Sequence, residues 1–181
     1  MRSQRSAAYR LLLIASITAS TILLLLPGLA LASTGTHNTK THTLYQSRLL
    51  WATIDMCDPA DKSNTVGIRG SMPSDGHAHD KMYMSFRLQY LNTKTEKWVD
   101  LAVGQTPSFV SVGSAASARQ DGSSFELVAP SSSVTLRGLV EFQWRSGQKV
   151  VHSTSKVTEA GHKSLAGADP ANFSAATCVI G

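Results

Sequence analysis

Two stretches of this chain alternate apolar and polar residues with the period of a β-strand. Between Met82 and Leu91, the side chains of Met82, Met84, Phe86, Leu88 and Tyr90 point one way and those of Tyr83, Ser85, Arg87 and Gln89 the other. Between Val134 and Arg145, the residues Val134, Leu136, Gly138, Val140, Phe142 and Trp144 share a face, opposite Thr135, Arg137, Glu141 and Gln143, with Leu139 the exception. Successive side chains of an extended chain face opposite ways, so each stretch turns one face to a core and one to water. Helical spacing would scatter the same residues around the axis. Gly138 weakens a strand interior and marks either a bulge or a close backbone approach. Trp144 closes the apolar face of its strand and is read as core.

Shorter segments repeat the pattern. Leu50, Ala52, Ile54 and Met56 alternate, as do Val66, Ile68 and Gly70; residues 98–103, 109–112, 125–128, 150–157 and 176–180 complete the set. Ser146-Gly147 reads as a hairpin tip, and residues 92–97 as a longer polar hairpin loop. Residues 160–172 are rich in glycine, alanine and small polar residues and read as a long loop before a last strand. No amphipathic helix of ten or more residues emerges after the N-terminal region. These features predict an all-β antiparallel β-sandwich of about seven to nine strands, with a small β-barrel as the alternative.

The first 32 residues have a different character. Arg2, Arg5 and Arg10 precede an apolar run from Leu11 to Leu26; Pro27-Gly28 and the small residues Ala30 and Ala32 follow. This is the layout of a secretory signal peptide over residues 1–32, cleaved near Ala32. A retained membrane anchor is the competing reading, since 22 helical residues reach ~33 Å. Residues 33–43 form a polar, Thr-rich leader, and residues 44–181 a single domain. The expected destination is extracellular, or periplasmic if the host has an outer membrane, with no membrane contact after cleavage. Beyond residue 32 the chain holds 14 basic and 12 acidic residues, a net charge of about +2. That is too weak a field to predict a nucleic-acid partner. Cys57 and Cys178 are its only cysteines. In an exported chain they predict a disulfide joining the first strand to the last few residues, and the absence of a Cys-x-x-Cys pair argues for a structural bond.

The sandwich resembles immunoglobulin-like and fibronectin-like extracellular domains in architecture. It departs from the immunoglobulin pattern in the long separation of its cysteines, although Trp98 and Trp144 do lie between them. TVGIRGSMP at 65–73, RGLVEFQWRSG at 137–147 and ADPANFSAATC at 168–178 resemble segments of small secreted bacterial proteins of unassigned function. That resemblance covers most of the chain after residue 32 and implies no catalytic residues.

The densest chemistry lies in SMPSDGHAHDKMYM, residues 71–84. His77 and His79 sit on one side of an extended chain, and Met72, Met82 and Met84 are close in sequence. Thioethers with imidazoles suit copper, which makes these five residues a candidate copper site with copper as the alternative cofactor. The competing reading puts Met82 and Met84 in the core beside Phe86, Leu88 and Tyr90, and makes Asp75-Gly76 an ordinary turn. Trp51 and Trp98 are candidates for a carbohydrate- or surface-binding platform: Trp51 falls out of register with its apolar neighbours, and Trp98 begins a strand beside a polar loop. Neither a Gly-x-Ser-x-Gly elbow nor a His-Glu-x-x-His helix occurs. Asn172-Phe173-Ser174 matches a glycosylation acceptor, relevant in a eukaryotic host. The expectation is a non-enzymatic binding or structural domain acting on an unknown extracellular partner or ligand.

Overall fold

In a computed structural model of the chain, residues 43–106, 108–162 and 165–181 are described. The expected signal peptide and all but the last residue of the leader lie outside them. Among the described residues, no helix is long and apolar enough to cross a membrane.

Among the described residues, nine strands form two antiparallel sheets. The smaller holds β1 (Trp51–Cys57), β2 (Thr65–Met72) and β6 (Arg119–Glu126) in the order β1-β2-β6. The larger is built on two long strands, β3 (Lys81–Asn92) and β7 (Val134–Ser146), paired in unbroken register from Lys81↔Arg145 to Tyr90↔Leu136. Each long strand has two shorter neighbours sharing its outer edge. β5 (Val110–Ser114) and β4 (Lys97–Gln105) lie along β3, and β8 (Lys149–Val157) and β9 (Cys178–Ile180) along β7. The sheets do not close into a barrel, so the sandwich expectation holds and the barrel alternative is corrected.

The alternation that identified β3 and β7 is the one that fills the interior. Met82, Met84, Phe86, Leu88, Leu136, Val140, Phe142 and Trp144 are all at most 1 % exposed, and they meet Ala52, Ile54, Val66, Ile68 and Met72 of the smaller sheet. Trp144 donates its indole N–H to the carbonyl of Pro73 at 2.9 Å, so its one polar atom is satisfied inside the core. The hairpin tip falls where expected: β7 and β8 are joined at Gly147, whose φ of 60° favours glycine.

Gly138 marks a close approach and not a bulge, since Leu88↔Gly138 stays in register. A methyl group added there would lie 2.6 Å from Thr158 Cγ2 and 2.9 Å from Ile68 Cδ1, which reaches over from the other sheet. Gly138→Ala is therefore expected to cost about 1–3 kcal/mol in urea unfolding, the range for overpacking a tight core.

One strand differs from expectation. Of the segment 125–128 only Phe125 and Glu126 are strand, and they are the end of β6, which begins at Arg119. Its sequence, RQDGSSFE, carries a single large apolar residue because β6 is an edge strand, and only Phe125 is buried. At the other edge, β1 is covered on both faces. Its inward side chains join the core, while Glu159 and residues 169–175 run along its free edge. Ile54 and Ala175 exchange backbone hydrogen bonds at 2.9 and 3.0 Å, and Glu159 and Asp169 donate to Ala52 and Asp55. The long loop thus satisfies backbone groups that an open edge would present to other chains.

Candidate functional site

The outer face of the larger sheet carries the polar half of the β3 and β7 alternation, and register turns it into a connected row. Arg137 on β7 lies directly across from Gln89 on β3, and Gln89 directly across from Asp100 on β4. Arg137 Nε donates to Gln89 Oε1 at 2.8 Å, and Gln89 Nε2 donates to Asp100 Oδ1 at 2.7 Å. Arg87, two residues before Gln89, donates Nη1 to Asp100 Oδ2 at 2.9 Å and Nη2 to Glu141 Oε1. At the far end, the Arg137 guanidinium sits 4.4 Å from the centre of the Trp98 ring. Six planar side chains from three strands are thereby fixed by one another.

A second group occupies the other end of the same face. Arg145 lies 4.1 Å from the Tyr83 ring centre and 5.3 Å from that of Phe109, and its Nε and Nη2 both donate to Gln143 Oε1. Tyr83 and Gln143 are cross-strand partners. The charges are tuned by these contacts. The Gln89 hydrogen bond, with help from Arg87, holds the Asp100 carboxyl below the ordinary aspartate value against partial burial. Burial lowers the Arg137 guanidinium from its usual value.

Trp98, one of the two tryptophans singled out from sequence, is half-buried within this row. Trp51 is elsewhere. It lies on the outward side of β1 at 7 % exposure, with the His162 ring stacked on it at 4.1 Å and 17°. Its departure from the register of Leu50, Ala52 and Ile54 reflects cover by His162 and leaves little of the ring exposed. The other members of the row, Arg87, Gln89, Arg137 and Glu141, are visible in the sequence as outward positions. Their mutual contacts depend on strand register and had no sequence signal.

The histidine-rich segment connects β2 to β3 and so crosses from one sheet to the other. Met72, Met82 and Met84 are 0 % exposed and belong to the core. His77 and His79 are exposed. The structure instead groups His77 with Asp75 and Asp80: one ligand atom of each lies within 4.8 Å of the others.

Cys57 and Cys178 are bonded, with Cα atoms 5.5 Å apart. Because β1 belongs to the smaller sheet and β9 to the larger, the bond ties the two sheets together as well as the two ends of the domain. An apolar groove of about 310 Å³ is walled by Tyr90, Leu101, Val103, Leu127, Val128 and Ile180 among others.

Compared with known proteins, the chain matches no family model, no curated protein and no solved structure.

Proposed function

We propose that this chain is an exported, non-enzymatic binding domain of immunoglobulin-like architecture that holds an extended carbohydrate across the outer face of its larger sheet. The observation that carries this is the linked row Trp98–Arg137–Gln89–Asp100–Arg87–Glu141. An isolated ion pair on an open surface contributes roughly 0–1 kcal/mol to stability. Each long side chain immobilised on association costs about 0.5–1.5 kcal/mol, and side chains already locked in place avoid that cost.

The chemistry of the face suits a polyhydroxylated chain. Guanidinium, amide and carboxylate edges offer donors and acceptors to hydroxyl groups, while the flat rings of Trp98 and Tyr83 suit the C–H faces of sugar rings. The charged groups are tied to opposite or neutral partners, an arrangement for holding a ligand and not for moving protons. The inter-sheet disulfide supports export, since such bonds persist in oxidising compartments.

The test is calorimetric titration of the protein with a panel of neutral and acidic soluble polysaccharides. At least one should bind, and Trp98→Ala should weaken it by about tenfold or more, as expected of an aromatic hot spot, with unfolding shifted far less than binding. A flat response across the panel, or unchanged affinity in Trp98→Ala, would overturn the proposal.

A further inference from the structure

We infer that Asp75, His77 and Asp80 form a divalent-metal site on the β2–β3 connection, suited to Zn²⁺. It is independent of the carbohydrate proposal. Two carboxylate oxygens and an imidazole nitrogen, spaced i, i+2 and i+5 along the chain, converge to within 4.8 Å.

A second observation gives the group its meaning. The Asp75 side chain is 1 % exposed, and its Oδ2 is buried with no hydrogen-bond partner. Oδ1 accepts the backbone N–H of His77 at 2.8 Å, so one half of the carboxylate is satisfied and the other is not. Asp80 beside it is 7 % exposed. Among the described residues, no Lys or Arg nitrogen lies within 4.0 Å of either carboxylate. Two close, buried carboxylates repel each other, and a buried polar atom without a partner is costly to keep. A divalent cation resolves both at once.

The surrounding chain holds the ligands in place. Pro73 is fixed by the Trp144 indole at 2.9 Å, and Ser74 donates its hydroxyl to the Ala115 carbonyl. Ala115 donates its N–H to the Asp80 carbonyl at 2.8 Å, and Asp80 donates its own to His77 at 3.0 Å. Both carboxylates therefore sit on backbone pinned to the buried Ala115. His77, with its side chain 62 % exposed, is the least enclosed of the three ligands. Zinc bonds of about 2.0–2.2 Å put tetrahedral ligands about 3.4 Å apart, so metal entry draws the three inward, chiefly through His77.

The donor set chooses the ion. With the methionine sulfurs in the core, the group supplies one nitrogen and two oxygens, a set that favours zinc over Cu(I). Three donors fall short of the six to eight oxygens that calcium takes. Three protein ligands leave a fourth tetrahedral position to water or to an incoming group.

The experiment is titration of untagged, EDTA-stripped protein with Zn²⁺ by calorimetry, alongside thermal unfolding with and without the metal. One equivalent should bind with micromolar affinity and raise the melting temperature. His77→Ala and Asp80→Asn should each weaken binding at least tenfold, and His79→Ala should leave it unchanged. His77 is exposed, so its replacement keeps the test valid even where an aspartate variant fails to fold. No binding of Zn²⁺ at millimolar concentration would overturn the inference, as would full affinity in His77→Ala. So would preferential Cu(I) binding that depends on His79.

Discussion

Replacing Cys57 and Cys178 together by serine should remove roughly 4–5 kcal/mol of stability, the chain-entropy value for a closed loop of this length. The bond closes a separation of 121 residues, nearly the whole described domain, so its loss gives the unfolded chain the largest gain in freedom that any single link here could. The folded side of the balance is also exposed. β9 has only three residues and pairs with β7 only from Val134 to Leu136. The segment before it covers the free edge of β1 through Ala175 and Asp169. Without the bond, the last strand and this cover should open together before the rest unfolds. In thermal unfolding the midpoint should drop by roughly 10–20 °C. Hydrogen exchange should quicken first at Ile54 and Ala175. A loss under about 1 kcal/mol would mean that the terminal strand is held by its packing alone.

The second large effect lies on the outward side of the smaller sheet. Asp55 is the extra residue of a bulge between Ile54 and Met56, and its side chain is 7 % exposed. Arg69 on β2 donates Nε to its Oδ2 at 2.8 Å. Burial raises the Asp55 carboxyl above its ordinary value, and the hydrogen bond and charge of Arg69 pull it only partly back. A carboxyl with a raised folded pKa holds its proton more tightly in the folded state. Stability is therefore lost as pH rises from the unfolded value of 3.8 through the folded one, and the cost is absent below 3.8. Arg69→Met removes the partner and leaves a buried charge alone. The expected loss at neutral pH is about 3–5 kcal/mol. It should shrink steadily as pH falls toward 4, because the stranded carboxyl takes up a proton. Adding Asp55→Asn should restore most of the neutral-pH stability. Urea unfolding of the three proteins at pH 7 and pH 4 checks this. An Arg69→Met deficit independent of pH would show that the arginine contributes packing and not charge.

The long central strands could be read from sequence because each has one buried face, and a single buried face is what a two-residue period reports. β3 and β7 meet that condition. β6 is an edge strand with one buried large apolar side chain, and Trp51 of β1 breaks the pattern because the His162 ring stacks on its outward side. The same logic separates the candidate sites. Met82 and Met84 fall in step with Phe86 and Leu88, and that step carries them into the core. Asp75, His77 and Asp80 lie off the strands, where no periodicity speaks. Their approach comes from the way Ser74 and Asp80 are pinned to Ala115, a residue some 35 to 41 positions further along the chain. The outer row was half visible: alternation showed that Arg87, Gln89, Arg137 and Glu141 face outward. Only the Gln89↔Arg137 and Gln89↔Asp100 register shows that they touch.

On the proposal made above, the outer face of the larger sheet is the ligand surface. Chemical-shift mapping of the ¹⁵N-labelled protein with a bound polysaccharide tests it most directly. Perturbed signals are expected to cluster on the Trp98 indole N–H, on the side chains of Arg87, Gln89 and Arg137, and on the backbone of β3, β4 and β7 around them. Signals confined to Val103, Val128 and Ile180 at the apolar groove, with the outer row unmoved, would contradict it.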